Sequence, residues 1–328
     1  MSLPVIKYCP GTLAAGYDTY STTCLRRVFK GRKVSHLLPY NAPNSNEDTD
    51  NQYIENQKRI SISGVQEKFS VLLKKNKLQL IEDGEQGTYI LKPKPHVGKN
   101  IDQMPANEHL TMQIAGHVFD IETAANALIF FNDGEQAYIT KRFDINDDGS
   151  KLATEDFASI AGRTSQTHGV NYKYSGSYLE LFELMKKHLT AYRLEAPKLF
   201  KLLIFNYIFS NGDAHFKNFS LIETPFGDFR LSPAYDLLNT RLHVNDSDFA
   251  LEEGLLPKNI SSGKVLEQFH SLAVMAELSE RQIHDVMDKL LSHQDKVKSL
   301  IDASFLSDSA KRMYLQSYQS RHNKLKLR

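Results

Sequence analysis

The chain has 328 residues, 41% of them hydrophobic, which is enough for two lobes and a sizeable core but not for many independent domains. With 40 basic and 39 acidic residues, the formal net charge is +1. This balance argues against a chain that binds nucleic acid through overall positive charge, and we expect no direct nucleic-acid binding.

No run of about 18 apolar residues is present, and no basic segment followed by an apolar run opens the sequence. We therefore expect neither a membrane span nor a secretory signal. The two cysteines, Cys9 and Cys24, are too few for a four-cysteine zinc site or a disulfide framework. These features are typical of a protein of the reducing cytosol, so a cytoplasmic location is predicted.

The first half of the chain shows the alternating pattern of strands separated by short turns. A hairpin around Lys75-Asn76 and a second hairpin around the turn 132–134 are predicted. One predicted strand ends at Leu73, and four others span 77–81, 88–92, 125–131 and 136–141. Helices are predicted at 22–29 and 107–119, the second with Asn107 as its N-cap. The polar residues 41–58 predict a mobile loop.

Beyond about residue 145 every predicted element is a helix. Pro197 occupies the favoured first position of an apolar helix that runs to Ser210. Ser279 and Gln282 suit a capping box at the start of a later helix. The predicted helices of this half are 177–189, 197–210, 264–276, 279–294 and 308–321.

The strongest functional pattern follows the apolar helix, where Asp213 and Asn218 are separated by four residues. This is the spacing of the protein-kinase catalytic loop, in which the Asp accepts a hydroxyl proton and the Asn holds Mg²⁺. Asn211-Gly212 ends the helix and places the polar residues in a tight turn. The spacing alone is common, and a solvated loop is the alternative interpretation.

Asp236 lies in the otherwise apolar stretch 231–238. A buried Asp needs a hydrogen-bond partner or a metal, and a kinase needs a second metal-holding carboxylate after its catalytic loop. The alternative is that Asp236 caps a helix beginning at Leu237. Upstream, Lys92 ends a short strand and fits the lysine that pairs the nucleotide phosphates, with Glu108 as the helix glutamate that positions it. Glu108 could instead only complement its helix dipole.

Several motifs in this order resemble the HipA family of bacterial serine/threonine kinases, over about residues 60 to 240. They are Ser63-Gly-Val-Gln-Glu-Lys68, Tyr89-Ile-Leu-Lys92, Asn107-Glu108, Arg142-Phe-Asp144, Glu155-Asp-Phe157, Asn211-Gly-Asp-Ala-His-Phe-Lys-Asn-Phe-Ser220 and Leu231-x-Pro-x-Tyr-Asp236. The resemblance implies an α+β, two-lobed protein-kinase-like fold. The expected lobes are a sheet-rich N-lobe at 1–143 and a helical C-lobe at 144–328.

The resemblance also implies ATP and Mg²⁺ as cofactors and assigns roles to individual positions. The catalytic residues are expected to be Asp213, His215 and Lys217, and the metal ligands Asn218 and Asp236. Autophosphorylation is expected at Ser61 or Ser63, beside the glycine loop. The nucleotide site is expected to include Ser63, Gly64, Val65, Gln66, Lys68, Lys92, Glu108, Lys141, Arg142 and Phe143, the last three at the hinge that meets adenine.

The glycine loop arrives near residue 61, about a hundred residues earlier than is usual in the family. The chain therefore resembles the short form, HipT, whose implied partners are a small HipS-like protein and a HipB-like DNA-binding antitoxin. The implied function is a toxin of a toxin–antitoxin system that phosphorylates a protein, with an aminoacyl-tRNA synthetase as the expected substrate. Two alternatives remain: a small-molecule kinase of the antibiotic-phosphotransferase type, and a pseudokinase that serves as an interaction scaffold.

Overall fold

The computed structural model describes residues 5–43 and 66–326 of the chain. Within these ranges five antiparallel strands form one sheet in the spatial order β2-β1-β3-β5-β4. The predicted strand that carries Lys92 lies at the centre of this sheet. The strands are β1 (Phe69–Lys74), β2 (Lys77–Leu80), β3 (Tyr89–Pro93), β4 (Asn126–Phe130) and β5 (Gln136–Lys141).

Both predicted hairpins are confirmed. Between β1 and β2, Lys75 and Asn76 have φ values of 47° and 64°. Positive φ at both central residues is what a two-residue hairpin turn needs to match the twist of its strands. Between β4 and β5, Gly134 supplies the positive φ, at 87°.

The N-terminal segment 5–43 covers one face and one edge of the sheet. Helix α1 (Thr22–Phe29) forms as predicted, and the Ser21 side chain caps it by accepting a hydrogen bond from the Cys24 N–H. Extended residues on either side of α1 pair with the outer edge of β4, which removes an exposed sheet edge. These backbone bonds run from Leu128 N to Pro10 O (2.8 Å), from Phe130 N to His36 O (2.9 Å) and from Asn132 N to Tyr40 O (3.0 Å).

Helix α2 (Met104–Phe119) packs against β4 and β5. It begins before the predicted position, so the prediction that Asn107 is its N-cap is wrong. Asn107 lies inside the helix, completely buried, because its amide binds a loop of the second half rather than its own helix end. Glu108 is consequently beyond the first turn.

The five predicted helices of the second half are present with changed bounds, together with three helices that were not predicted, at 157–160, 165–168 and 294–303. They are α3 (Phe157–Ile160), α4 (Ser165–His168), α5 (Tyr178–His188), α6 (Tyr192–Ile208), α7 (Val265–Met275), α8 (Glu280–Leu291), α9 (Gln294–Ala303) and α10 (Asp308–Lys324). The Ser279–Gln282 capping box is confirmed. Pro197 lies inside α6 rather than at its start, because burial of Tyr192 and Ala196 extends the helix toward its N-terminus.

The expectation that only helices follow residue 145 is wrong. A second, three-stranded antiparallel sheet joins β6 (Thr154–Asp156), β7 (Ser220–Glu223) and β8 (Phe229–Leu231). The strands are short, and β6 is largely solvent-exposed, so no apolar alternation marked it in the sequence. Strand β7 of this sheet follows directly after the loop that contains Asp213 and Asn218.

Two hydrophobic clusters organise the interior. One lies between α1 and the outer face of the five-stranded sheet, and includes Phe29, Phe69 and Leu91. The larger one joins α2 to the helical half and includes Phe205. The α+β class is confirmed, whereas the lobe boundary between residues 143 and 144 stays a prediction. None of the helices within the described ranges combines the length and apolar character needed to cross a bilayer.

The cluster beneath α1 generates a stability prediction. The Phe29 ring is completely buried and lies 5.1 Å from the ring of Tyr20 and 5.8 Å from that of Tyr89. We expect Phe29→Ala to lower the free energy of unfolding by about 3–5 kcal/mol, because it removes the ring and leaves a cavity. Chemical denaturation measures this change.

The matched control is Phe226→Ala, since Phe226 lies in the β7–β8 turn with 94% of its surface exposed. We expect this substitution to change the free energy of unfolding by less than about 0.5 kcal/mol. Equal effects of the two substitutions would contradict the placement of α1 against the sheet.

Candidate active site

The loop that contains Asp213 begins where α6 ends. Ser210 adopts φ 56°, which turns the chain out of the helix. The Asn211 side chain then donates to Asn206 Oδ1 (3.0 Å), back on α6. The Gly212 N–H donates to Thr240 Oγ1 (3.0 Å). The two residues directly before Asp213 are therefore held in place, Asn211 by α6 and Gly212 by Thr240.

Gly212 is required by close approach rather than by its backbone angles. A Cβ atom at this position would lie 2.4 Å from a carboxylate oxygen of Asp246. Any side chain at residue 212 would therefore displace Asp246 or the loop. The contact of Asn211 with Asn206 and the close approach of Gly212 to Asp246 are consistent with the predicted role of these two residues in ending the helix.

Asp213 is reached by solvent, and its Oδ1 accepts a hydrogen bond from the Tyr174 hydroxyl at 2.8 Å. The protein around the carboxylate removes part of its hydration, and this desolvation raises the pKa of Asp213 above its ordinary value. The hydrogen bond from Tyr174 and the charge of Lys173 act in the opposite direction. A carboxylate with a raised pKa in an accessible loop is suited to accept a proton.

His215 is buried beneath the loop, and its ring meets that of Tyr174 edge-on at 5.2 Å between centroids. Burial lowers the pKa of His215 to about 3, so the imidazole is neutral at physiological pH. Its backbone N–H donates to Asn218 Oδ1 (3.1 Å), and the two residues cap each other across the turn. Lys217 is half-buried, and its carbonyl oxygen accepts a hydrogen bond from the Tyr235 hydroxyl (2.9 Å).

Asp236 is brought to this loop by backbone pairing. Ala234 exchanges hydrogen bonds with the segment before β4, from Ala124 N (2.9 Å) and to Glu122 O (2.8 Å). Asp236 then adopts φ 55°, a left-handed conformation that Asp tolerates better than most residues. Its side chain turns toward Asn218, whose Nδ2 lies 3.4 Å from Asp236 Oδ2. No helix begins at Leu237, so the helix-cap interpretation of Asp236 is wrong.

The Lys92 ammonium lies between two carboxylates. It donates to Glu108 Oε1 at 2.6 Å and makes a short contact with Asp236 Oδ1. The predicted Lys92–Glu108 pairing is therefore present, and the helix-dipole alternative for Glu108 is not needed. The side chains of Lys92 and Glu108 are 5% and 3% exposed, so this ion pair is shielded from water.

Burial opposes the charge of Lys92, yet Asp236 and Glu108 together raise the pKa of Lys92 above its ordinary value. Burial likewise opposes the charge of Asp236, but the ammonium groups of Lys92 and Lys68 hold its pKa well below the usual range. Glu108 is the more deeply buried carboxylate, and desolvation raises its pKa. Of the two carboxylates, Asp236 is consequently the one whose ionised form is favoured more strongly.

Lys68 is the second cation of this cluster. Its Nζ lies 3.9 Å from Asp236 Oδ2, and the side chain is 15% exposed. Burial lowers the pKa of Lys68, an effect that Asp236 partly offsets. Two ammonium groups and two carboxylates are thus gathered at one point, beside the loop that carries Asp213.

Helix α2 is clamped to the chain that follows Asp236. The Asn107 Nδ2 donates to Asn239 O (2.8 Å), and the Asn239 N–H donates to Asn107 Oδ1 (3.0 Å). Asn107 Nδ2 also lies 2.8 Å from Nε2 of His243. Because Asn107 and Glu108 are adjacent, the clamp fixes Glu108 against Lys92 and Asp236.

The remaining predicted site residues are placed less centrally. Ser61, Ser63, Gly64 and Val65 lie outside the described residues. Gln66 donates to Pro93 O (2.9 Å), directly after Lys92 on the chain. At the predicted hinge, the side chains of Lys141 and Arg142 pair with Asp147 and Asp144, and the Phe143 ring lies 5.7 Å from that of Tyr235. Their role toward adenine stays a prediction.

The side chains near Asp213 offer few metal ligands, which suits a cation that takes most of its ligands from water and phosphate. Within the described residues, no group of three or more His, Cys, Asp or Glu side chains could hold a metal ion. Asp236 offers an ionised carboxylate, and Asn218 lies beside it, with Nδ2 3.4 Å from Asp236 Oδ2 and Oδ1 accepting the His215 N–H, so the Asn218 amide must rotate to present its oxygen to a metal. Mg²⁺ commonly takes one or two protein oxygens and completes its shell with phosphate and water. These residues therefore fit Mg²⁺ that arrives with a nucleotide.

The model of the HipA-like C-terminal domain family matches residues 60–297. The chain belongs to this family.

Curated relatives of this HipA-like chain carry the name of a kinase. A Haemophilus influenzae protein named "Putative kinase" is 26% identical over 289 residues, which cover 81% of this chain and 82% of the relative. The Sinorhizobium fredii protein "Putative kinase Y4dM" is 30% identical over 245 residues, which cover 70% of this chain but 57% of that protein. The chain thus spans most of one relative and little more than half of the other.

Two solved structures share the fold. HipA of Shewanella oneidensis, solved in complex with HipB and operator DNA, matches with a TM-score of 0.63 and 19% identity, over 81% of this chain and 65% of HipA. The Helicobacter pylori proinflammatory kinase CtkA matches with a TM-score of 0.51 and 13% identity, over 77% of this chain and 92% of CtkA. The two-lobed, kinase-like fold is confirmed, and the relatives' names and this fold together support kinase chemistry.

Four residues of this HipA-like site were missed by sequence reasoning. Tyr174 bonds to Asp213, Thr240 holds Gly212, Asp246 packs on Gly212, and Asn239 binds Asn107. All four lie in irregular chain or short 3₁₀ turns, where no periodicity marks a functional position. Only the aromatic pair Tyr172 and Tyr174, in a stretch rich in glycine, stands out in the sequence.

The buried neutral imidazole of His215 generates a prediction about stability and pH. Its pKa is about 3 in the folded chain against an ordinary 6.5, so the unfolded chain binds a proton at intermediate pH that the folded chain does not. The contribution of neutral His215 to the free energy of unfolding is therefore fully present above pH 6.5 and is lost as the pH falls toward 3. We expect His215→Gln to reduce the slope of unfolding free energy against pH, between pH 4 and 6, by about 1.4 kcal/mol per pH unit.

Denaturant titrations at several pH values measure this slope. His188→Gln, which replaces an exposed histidine of α5, controls for the substitution itself. The same slope in wild type and His215→Gln would show that His215 is not held neutral by burial.

Proposed function

We propose that this chain is an ATP-dependent serine/threonine protein kinase that transfers the γ-phosphate of ATP to a protein hydroxyl. The observation that carries the proposal is the Lys92 ammonium held between Glu108 and Asp236, next to the fixed loop of Asp213 and Asn218. A buried lysine, a positioning glutamate, a base and two oxygen ligands are the parts that phosphoryl transfer from ATP requires.

In this proposal each group of the cluster has its own task. Lys92 binds the phosphates, and Glu108 keeps the ammonium in place when the nucleotide enters. Lys68 adds a second positive charge for the phosphates. Asn218 and Asp236 would hold Mg²⁺, which would supply positive charge that stabilises the phosphoryl group during transfer.

Asp213 acts as the general base. It takes the proton of the acceptor hydroxyl as the hydroxyl oxygen bonds to the γ-phosphorus, and the bond from that phosphorus to the bridging oxygen breaks so that ADP leaves. His215 supports the loop as a neutral, buried ring, which leaves Asp213 as the base. Lys217 offsets charge on the moving phosphoryl group, as the family resemblance implies.

The biological setting of the proposal is a toxin–antitoxin system. It is supported by family membership and by the fold shared with Shewanella HipA, which was solved with HipB and operator DNA. We propose a HipB-like DNA-binding antitoxin and a HipS-like small protein as partners, as expected of the HipT form. An aminoacyl-tRNA synthetase is the proposed substrate, and its phosphorylation would inhibit translation.

Self-phosphorylation at Ser61 or Ser63 is part of the same proposal. A phosphoserine adds about −1.5 to −2 charge at pH 7, which would repel ATP phosphates and attract Lys92. Modification of these serines would therefore inhibit the kinase. The small-molecule kinase alternative predicts phosphate on neither serine and on no protein substrate.

We expect Asp213→Asn to lower phosphoryl transfer about 10²–10⁴-fold without unfolding the protein, because it removes the general base. The measurement is incubation with labelled ATP and a bacterial cell extract, followed by gel separation and mass spectrometry. Active protein should label a protein band and its own Ser61 or Ser63, and the variant should label neither.

The matched control is Asp302→Asn, since Asp302 pairs with Lys298 on the exposed surface of α9. It should retain wild-type transfer. Near-normal labelling by Asp213→Asn would show that Asp213 is not the base. Labelled small molecules without any labelled protein would favour the small-molecule kinase, and no transfer at all would favour the scaffold.

A further inference from the structure

Tyr174 touches the reacting carboxylate although no catalytic pattern includes it. Its hydroxyl donates to Asp213 Oδ1 at 2.8 Å, and its ring packs edge-on against His215. We propose that Tyr174 is a positioning residue that holds the Asp213 carboxylate in the orientation needed to accept the proton of the substrate hydroxyl. This inference rests on the kinase function proposed above and extends it to a residue of another chain segment.

The backbone at Tyr174 and just after it is fixed by hydrogen bonds. The Glu252 N–H donates to Tyr174 O (2.9 Å), and the Glu253 N–H donates to Gly176 O (3.1 Å). The segment is thus joined to a second loop, in addition to the short 3₁₀ turn Tyr172–Tyr174 in which it lies. A hydroxyl carried by such a backbone is a fixed support rather than a movable gate.

Arg163 contacts both the segment of Tyr174 and the loop of Asp213. Its guanidinium lies over the Phe216 ring at 4.5 Å, and Phe216 is three residues beyond Asp213. The same guanidinium donates to Ser175 O (2.6 Å) and to both carboxylate oxygens of Glu180 (2.6 and 2.7 Å). One arginine therefore contacts both the residue after Tyr174 and the loop of Asp213.

The two carboxylate oxygens of Asp213 have different partners in this geometry. Oδ1 is occupied by the Tyr174 hydroxyl, so Oδ2 is the oxygen left for a substrate hydroxyl. A carboxylate held at one oxygen cannot rotate freely, and proton transfer depends on such alignment. The Tyr174 side chain is half-buried, which strengthens a hydrogen bond to a charged acceptor.

The hydrogen bond also affects proton affinity. Desolvation raises the pKa of Asp213, the Tyr174 hydroxyl and Lys173 lower it, and Asp246 and Asp236 raise it through their negative charges. Loss of the Tyr174 hydroxyl therefore raises the pKa of Asp213. Because the base must be ionised to act, activity would then be lost at a higher pH as the solution is acidified.

The experiment compares wild type with Tyr174→Phe, and uses Tyr172→Phe, in the same turn, as the matched control. Steady-state kinetics over pH 5–8 should give Tyr174→Phe a kcat about tenfold lower, an unchanged KM for ATP and an acid limb of kcat displaced to higher pH. Tyr172→Phe should match wild type. Thermal unfolding confirms that both variants are folded.

Three outcomes would overturn the proposal. An unchanged kcat and acid limb would show that the hydroxyl does not position Asp213. A higher kcat would identify Tyr174 as a blocking group that the substrate displaces. Phosphate on Tyr174 after incubation with ATP and Mg²⁺, found by mass spectrometry, would identify it as an acceptor.

A second measurement separates this proposal from the kinase function itself. The Asp213 carboxyl can be titrated by ¹³C NMR in wild type and Tyr174→Phe, with its resonance assigned by Asp213→Asn. A higher pKa in Tyr174→Phe supports the positioning contact even if wild type transfers no phosphate. Equal pKa values of Asp213 in the two proteins would overturn it.

Discussion

The Lys92 ammonium joins three parts of the chain that are far apart in sequence. It is carried by the central strand β3, and it meets Glu108 of α2 and Asp236 of the segment after β8. Loss of one partner from a buried ion pair costs about 3–5 kcal/mol, because the remaining charge is left without compensation. The five-stranded sheet, α2 and the helical half are therefore held in one relative arrangement by this contact and the Asn107 clamp beside it.

The same cluster explains how the site can be stable before a nucleotide binds. Lys92 and Lys68 balance Glu108 and Asp236, so no net charge is buried. Under the proposed function, Asp236 would help to hold Mg²⁺, and Lys92 and Lys68 would bind phosphate. Each charge then keeps a partner throughout, which avoids the cost of an unpaired buried ion.

The sequence predicted the parts of the fold that have strong local signals. Two hairpins, α1 and most of the long helices were found from periodicity and turn residues, and Lys92 and Glu108 were paired correctly. Burial determined what was missed. Asn107 resembled an N-cap because its amide could satisfy a helix end, whereas in the fold it binds the backbone of Asn239. The start of α6 was displaced because core packing, not Pro197, decides where that helix begins.

In the candidate site, too, residues with a local sequence signal could be predicted, whereas residues placed by long-range packing could not. Asp213, Asn218 and Asp236 could be proposed from the sequence because their spacing lies within two short segments of continuous chain, and their catalytic and metal-binding roles stay predictions. Tyr174 was not found, since its contact with Asp213 depends on how two loops are placed by the surrounding helices. Residues that act through long-range packing leave no spacing in the sequence, and only the structure brings them to the site.

The proposed role of Asp236 as a Mg²⁺ ligand is tested most directly by calorimetry of ATP binding, with and without Mg²⁺. In wild type, Mg²⁺ should tighten ATP binding by about tenfold or more, because Asp236 and Asn218 supply oxygen ligands. In Asp236→Ala, where Lys92 still pairs with Glu108, Mg²⁺ should make little difference. Equal dependence on Mg²⁺ in wild type and Asp236→Ala would contradict the assignment of Asp236 as the metal-holding carboxylate.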